Sequence, residues 1–246
     1  MAGHSKWANI KHRKGAQDSK RAKIFTKILK EVTIAAKDAG PDPNFNPRLR
    51  LAIQNAKGAN IAKDTVERAV NKGAGIDGHN YSEVTYEGYG PNGIAIFVEC
   101  TTDNINRTVQ NVRAAFSKFH GSLGTNGSLS FIFERKGIFN IPKGELNEED
   151  FMFEIIDSGA EDAVVEDGFF IITTSLENFG SMQKKLEEMR IEAESAHLER
   201  IPNTTIKLDM EASKKVMKLI DYLEEDDDVQ NVYHNLELSK ELMEQL

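Results

Sequence analysis

The sequence predicts an α+β protein in which a helical N-terminal domain precedes two α+β domains, one of them ferredoxin-like and inserted into the other. Three patterns support this fold. Apolar residues recur at helical spacing in the first 78 residues, a strand-like hairpin pattern follows Gly78, and the middle of the chain has the order βαββαβ. A chain of 246 residues accommodates two or three compact units.

The predicted helical domain covers residues 1–78. An apolar stripe from Ala22 to Ala36 predicts a long first helix that Gly40-Pro41 ends. Asn46-Pro47 combines a helix-capping residue with a proline suited to the first turn, so a second helix begins there. A third helix ends at Gly73. These three helices predict a small bundle.

The second predicted domain is discontinuous and comprises residues 79–135 and 202–246. Its first part contains a hairpin, because two strand-like segments flank Gly90-Pro91-Asn92-Gly93, and a helix and a third strand follow. Its second part contributes a helix and a last strand, which complete an interrupted ββαβ unit. The predicted elements are strands Ser82–Tyr89 and Ile94–Thr101, a helix from Ile105 to Phe119, strand Ser128–Glu134, a helix from Ala212 to Leu223, and strand Val229–His234.

The third predicted domain, residues 136–201, is inserted between those two parts. Its elements alternate in the order that is typical of a ferredoxin-like fold. They are strand Lys136–Ile141, helix Glu148–Asp157, strands Asp162–Glu166 and Phe169–Thr174, helix Leu176–Met189, and strand Ile191–Ile201.

The net charge of −8 conceals a division along the chain. Residues 1–75 hold 16 basic and 6 acidic residues, a net +10, whereas the remainder holds 15 basic and 33 acidic residues, a net −18. Such asymmetry is typical of a polyanion-binding module attached to an acidic body.

Basic residues concentrate in an arm before the first helix and on the polar face of that helix. We predict that this cluster contacts phosphates, with little dependence on base sequence and with an affinity that falls steeply with salt. A solvated helix face explains any single lysine, but the segregation of charge favours binding for the whole cluster. The predicted contacts are Lys6, Lys11, Arg13, Lys14, Lys20, Arg21 and Lys23.

Trp7 lies in this basic arm, where no neighbouring apolar pattern supplies a core. Two interpretations stay open: the ring stacks on an exposed base, or it docks onto the helical bundle of its own chain. We include Trp7 in the predicted nucleic-acid site.

Other candidate sites are weaker. Gly121, Gly124 and Gly127 form a glycine-rich connection that we interpret as a structural loop, since it lacks the Gly-Lys-Ser/Thr ending of a nucleotide-binding loop. The run Glu224–Asp228 places five carboxylates near a helix C-terminus, where the helix dipole disfavours them. A basic partner surface, a divalent cation and a solvated turn are the alternatives for that run, and the solvated turn is favoured.

Enzyme, cofactor and membrane functions find no support in the sequence. The histidines have no metal-ligand spacing, no nucleophile motif occurs, and no apolar run is long enough to span a bilayer. Cys100 lies in an apolar stretch, and we interpret it as a core residue. A single cysteine also suits a reducing compartment. We therefore expect a cytoplasmic, non-enzymatic protein with no cofactor and no bound metal.

Several motifs are spread over nearly the whole chain. They include Gly3-His4-Ser5-Lys6-Trp7, Asn46-Pro47-Arg48-Leu49-Arg50, Tyr86-Glu87-Gly88-Tyr89-Gly90-Pro91, Thr102-Asp103-Asn104, Asn106-Arg107-Thr108, and Asp227-Asp228-Val229-Gln230-Asn231. In this combination they resemble the YebC family of probable transcriptional regulators. The chain departs from the family pattern at Ala62, where many members have proline, and at His120, which replaces one glycine of a usual pair.

The resemblance implies a three-domain protein and two competing roles. Bacterial members are described as DNA-binding transcriptional regulators, whereas a mitochondrial relative activates translation of cytochrome oxidase and bacterial relatives are linked to relief of ribosome stalling. We expect DNA as the partner of the basic surface. The alternative is a ribosome-associated translation factor that binds ribosomal RNA and whose acidic domains face ribosomal proteins.

Overall fold

The computed structural model describes residues 18–75, 81–239 and Leu242, with the side chains of residues 18–20 excepted. The fold is α+β, with an N-terminal helical region and two four-stranded antiparallel sheets, which confirms the predicted class. The chain divides into two compact units. The first holds the described parts of Met1–Lys27, His79–Glu134 and Ile201–Leu246, and the second holds those of Ile28–Gly78 and Arg135–Arg200.

Within the described residues, the N-terminal region contains helices α1 (Asp18–Ala39), α2 (Pro47–Gly58) and α3 (Lys63–Ala74). Asn46 caps α2 as predicted, because its side-chain oxygen accepts a hydrogen bond from the Leu49 amide at 3.0 Å. The same buried side chain donates to the carbonyl oxygens of Ala35 and Gly40, at 2.6 and 2.8 Å. One asparagine therefore both ends the loop after α1 and starts α2.

The first unit is built on a sheet of strands β1 (Ser82–Tyr89), β2 (Ala95–Thr102), β3 (Ser122–Leu123) and β8 (Val229–His234). Their order is β3-β1-β2-β8, and β2 pairs antiparallel with both β1 and β8. Helices α4 (Ile105–Lys118) and α7 (Met210–Glu224) belong to the same unit.

The core of the first unit lies between that sheet and its helices. Phe116 from α4 and Leu219 from α7 are fully buried with Ile96 and Val98 from β2. Cys100 is buried in this core, which confirms the prediction that it is a small core residue.

The second unit contains the predicted ferredoxin-like arrangement. Its strands are β4 (Phe133–Pro142), β5 (Ala160–Glu166), β6 (Phe169–Ser175) and β7 (Ser195–Pro202), and its sheet order is β5-β6-β4-β7. Helices α5 (Glu148–Asp157) and α6 (Phe179–Glu188) follow β4 and β6, and their buried residues share a core with Phe139, Phe170 and Ile172. In the chain, this segment lies between two segments of the first unit, and its being an inserted domain stays a prediction.

The second unit also includes α2, α3 and α1 from Ile28 onward. Leu51 of α2 packs against the ferredoxin-like core, and the Asn55 amide group exchanges two hydrogen bonds of 2.9 Å with the backbone of Ala196. The predicted domain boundaries of 1–78, 79–135 plus 202–246, and 136–201 stay a prediction.

The strand predicted at Ser128–Glu134 is wrong. Residues 127–132 form turns, and the strands on either side of them are β3 and β4. Gly127 has a φ of +86°, and the Leu129 amide donates to the Glu87 carboxylate, so that amide is not available to a ladder. Among the described residues, no helix combines the length and apolarity that crossing a membrane requires.

Candidate nucleic-acid interface

The N-terminal half of α1 carries the described part of the predicted nucleic-acid site. Lys20 lies in its first turn, Arg21 is exposed, and the Arg21 guanidinium lies 5.2 Å from the centre of the Phe25 ring. That position holds the cation against an aromatic face while leaving it open to solvent. Arg21 is therefore placed to meet an anion.

Lys23 is placed differently from Arg21. Its Nζ donates a 3.1 Å hydrogen bond to the carbonyl oxygen of Glu225, at the C-terminal end of α7. One turn further along α1, Lys27 Nζ donates a 3.0 Å hydrogen bond to the carbonyl oxygen of Gln230 in β8. Two lysines of α1 thus hold the two sides of the segment between α7 and β8.

The remaining predicted site residues cannot be placed. Lys6, Trp7, Lys11, Arg13 and Lys14 lie outside the described residues, and the side chain of Lys20 does too. Their roles, like those of Arg21 and Lys23 in binding, stay predictions.

Two basic residues of α2 make ion pairs inside the second unit. Arg48 contacts Glu31 at 2.7 Å and Asp38 at 2.9 Å, and Lys57 pairs with Glu192. A carboxylate already neutralises part of the charge of each of these cations, so each attracts a phosphate less strongly. This helix is therefore a weaker candidate surface than the start of α1.

The run Glu224–Asp228, here called the acidic turn, joins α7 to β8. The amide of Glu225 donates to the Asp221 carbonyl and that of Asp226 to the Leu223 carbonyl, so the helix closes normally in spite of its carboxylates. Lys23 brings a positive charge to this C-terminus, where cations are favoured. The sequence did not reveal what offsets the carboxylates; the structure assigns part of that role to α1.

Asp228 is the buried member of the acidic turn. Its Oδ2 accepts hydrogen bonds from Thr108 Oγ1 at 2.8 Å, Thr102 Oγ1 at 3.1 Å and the Arg107 guanidinium at 2.7 and 3.2 Å. Its carbonyl oxygen accepts from the Thr101 amide at 2.8 Å. Asp228 therefore fastens the acidic turn to the end of β2 and the start of α4.

The protonation of Asp228 reflects these contacts. Burial opposes its charge, but the hydrogen bonds from Arg107, Thr108 and Thr102, together with the charge of Arg107, outweigh burial and lower the pKa of the carboxyl below its ordinary value. The same hydrogen bond raises the pKa of Arg107. Asp228 is thus an ionised structural carboxylate.

The glycine-rich loop after α4 already holds an anionic group of its own chain. The Glu87 carboxylate is buried and accepts hydrogen bonds from the amides of Gly127 at 2.7 Å and Leu129 at 2.6 Å. The interpretation of this loop as structural agrees with these contacts. Across the described ranges, no cluster of His, Cys, Asp or Glu side chains has the arrangement of a metal site.

Sequence reasoning missed the network around Asp228. The motifs Thr102-Asp103-Asn104, Asn106-Arg107-Thr108 and Asp227-Asp228 supported the family resemblance, but no chemistry was assigned to them. The available signal was position, because Asp228 directly precedes the predicted strand Val229–His234 and therefore lies next to the sheet.

Two family profiles together match most of the chain. Residues 5–76 match the family profile described as the TACO1/YebC protein N-terminal domain, and residues 81–236 match that of the TACO1/YebC second and third domain. A solved structure, a conserved hypothetical protein Aq1575 from Aquifex aeolicus, is similar with a TM-score of 0.80 and 42% identity, and the match covers 91% of this chain and 93% of that one.

Curated relatives match over their full lengths. A protein of Amoebophilus asiaticus is 55% identical over 96% of this chain and 98% of its own length, and one of Idiomarina loihiensis is 49% identical over 100% and 99%. Both are named probable transcriptional regulatory proteins.

Proposed function

Because this chain belongs to the TACO1/YebC family, we propose that it is a non-enzymatic, nucleic-acid-binding regulator of gene expression, and specifically a DNA-binding transcriptional regulator. The observation that carries the proposal is the segregation of charge, with +10 in residues 1–75 against −18 in the rest. The names of the relatives support a regulatory role.

In this proposal, the basic arm and the start of α1 bind the sugar-phosphate chain. Lys6, Lys11, Arg13, Lys14, Lys20 and Arg21 supply phosphate contacts, and Trp7 stacks on a base. Lys23 contributes when it is not donating to the Glu225 carbonyl. Binding through phosphates makes the affinity strongly salt-dependent and only weakly dependent on sequence. We place the protein in the cytoplasm, because a single cysteine suits a reducing compartment and because DNA and ribosomes are both present there.

A second candidate, a ribosome-associated translation factor, is favoured by the acidic remainder of the chain. A charge of −18 repels a long duplex but complements basic ribosomal proteins, so the same basic surface would bind ribosomal RNA.

The test neutralises six basic residues of the proposed site, leaving Lys23 intact because of its contact with Glu225. Its charge-matched control neutralises six exposed basic residues elsewhere in the chain. The site set is Lys6, Lys11, Arg13, Lys14, Lys20 and Arg21, and the control set is Arg113, Arg135, Lys184, Lys207, Lys214 and Lys218, each changed to Gln.

Fluorescence anisotropy with duplex DNA and with single-stranded RNA, at rising salt, measures the effect. We expect the site variant to lose about a hundredfold in affinity and the control variant less than about tenfold. Equal losses would overturn the proposed surface. In parallel, sedimentation of the wild-type protein with ribosomes, combined with only weak binding to duplex DNA, would replace the transcriptional role with the translational one.

A further inference from the structure

The start of α1 makes two contacts on its basic face, one through Lys23, a proposed phosphate contact, and one through Lys27. The two residues are four positions apart on α1 and therefore lie on one side of that helix. Their amines donate to carbonyl oxygens at positions 225 and 230, on the two sides of the exposed carboxylate of Asp227. The N-terminal half of α1 is thus docked on the acidic turn through Lys23 and on β8, directly after the turn, through Lys27.

The acidic turn offers these lysines the chemistry that a phosphate chain offers. It presents oxygen acceptors at a helix C-terminus, where the helix dipole is negative, and it adds a run of carboxylates. A lysine amine that donates to the turn is drawn away from a phosphate on the opposite side. The two acceptors therefore compete for the same cations.

The acidic turn is held in place independently of α1. Asp228 is fixed by Arg107, Thr102 and Thr108, and Asp226 accepts a 2.9 Å hydrogen bond from the Asn111 side chain. A turn anchored by these side chains needs no lysine to keep its shape, so α1 can leave while the turn remains.

We infer that the acidic turn is an intramolecular competitor for nucleic acid, which docks the start of α1 through Lys23 and must release it before this lysine, and Lys27 one turn away, can bind phosphates. The inference rests on the proposed function and adds a regulatory step to it. Nucleic acid that binds the lysines of α1 displaces the acidic turn from them. Neutralising the carboxylates of the turn therefore favours the binding of nucleic acid.

The experiment removes the negative charges of Glu224, Glu225 and Asp227 and retains Asp228 and Asp226, which anchor the turn. The test variant of the full chain is E224Q/E225Q/D227N, and the charge-matched control is E145Q/E149Q/E187Q, at exposed positions of the second unit. The probes are a single-stranded oligouridylate and a duplex DNA of equal length, titrated by fluorescence anisotropy. We expect the test variant to bind about tenfold more tightly than the control variant, because removing three carboxylates weakens the attraction between the turn and the lysines of α1 while the backbone acceptors stay in place.

Hydrogen exchange supplies a readout that needs no nucleic acid. We expect the amides of residues 18–27 to exchange faster in the test variant than in the control or wild-type protein. Exchange at β8 should stay unchanged, because Asp228 still anchors the turn.

Three outcomes would overturn the inference. Equal tightening in both triple variants would mean that net charge alone governs binding. Unchanged exchange at residues 18–27 would mean that the turn does not hold the helix. Binding of wild-type protein with no gain in the test variant would refute the competition and leave the proposed function standing. Absence of binding by all three proteins would instead refute the proposed function itself.

Discussion

Arg107 and Asp228, 121 positions apart in the chain, form an ion pair in which the guanidinium donates to Oδ2 at 2.7 and 3.2 Å. The carboxylate side chain is only 8% exposed, whereas that of Arg107 is 48% exposed. The pair therefore joins a buried charge at the start of β8 to a solvated one at the start of α4, with two threonine hydroxyls satisfying the carboxylate further.

Replacing this carboxylate by an amide, Asp228→Asn, is expected to lower the free energy of unfolding at neutral pH by about 2 kcal/mol, because Arg107 loses a charged acceptor. Urea denaturation measures this decrease in the free energy of unfolding. Asp103→Asn, at the exposed partner of Arg107, is the control and should cost at most about 0.5 kcal/mol.

The loss of stability caused by Asp228→Asn should become smaller in acid. Since the pKa of Asp228 is lower in the folded than in the unfolded protein, its stabilising contribution is present above the unfolded value of about 4 and is lost as the pH falls through the folded value. The gap in unfolding free energy between wild-type protein and Asp228→Asn should therefore narrow below about pH 4. A gap that is constant between about pH 7 and about pH 3 would contradict this assignment.

Removing the buried carboxylate in Glu87→Ala should destabilise the protein by about 2 to 3 kcal/mol, because the amides of Gly127 and Leu129 lose their acceptor. Hydrogen exchange at these two amides should rise well above that in Glu83→Ala, which truncates an exposed glutamate of the same strand. If both variants exchange alike at the loop, Glu87 does not organise it.

Two glycine-to-alanine changes in helices should have opposite signs. A Cβ at Gly73 of α3 would overlap the Thr33 carbonyl of α1, so Gly73→Ala should cost about 1 to 3 kcal/mol. At Gly180 of α6, no atom lies within 4 Å of the added Cβ, and alanine should stabilise by about 0.5 kcal/mol. Thermal unfolding of the two variants measures both effects; stabilisation by Gly73→Ala would disprove the close approach.

Ala62 begins α3 without a side-chain cap. Ala62→Ser supplies a hydroxyl acceptor at a residue that already has extended backbone, φ −60° and ψ 135°, and should stabilise by about 1 kcal/mol. Ala114→Ser, at an exposed position inside α4, is the matched control and should destabilise slightly because serine is a poorer helix former. The difference between their midpoints of urea denaturation tests the capping effect.

Local signals predicted the helices and most strands well. Asn46-Pro47 started α2 because its cap and its proline act within a few residues, and the ferredoxin-like order followed from the alternation of periodicities. The error at Ser128–Glu134 has a non-local origin, because apolar residues there pack as a turn around a carboxylate about 40 positions earlier.

The candidate site also combines features that the sequence shows with features that depend on distant contacts. Segregated charge is visible in the sequence, but nothing local distinguishes Lys23, which donates to a carbonyl 202 positions away, from Arg21, which remains exposed. Likewise, the sequence does not distinguish the five adjacent carboxylates from one another. In the structure, one of them, Asp228, accepts hydrogen bonds from Arg107 and two threonines.

The sheet of the first unit has a consequence for the order of events during translation. β2 emerges from the ribosome long before its partner β8, and α1 emerges earlier still than Gln230, to which Lys27 donates. Contacts of such long sequence separation form late and slow the search for the native state. The nascent protein therefore carries the positively charged helix α1 without its docking partner until synthesis has passed Gln230.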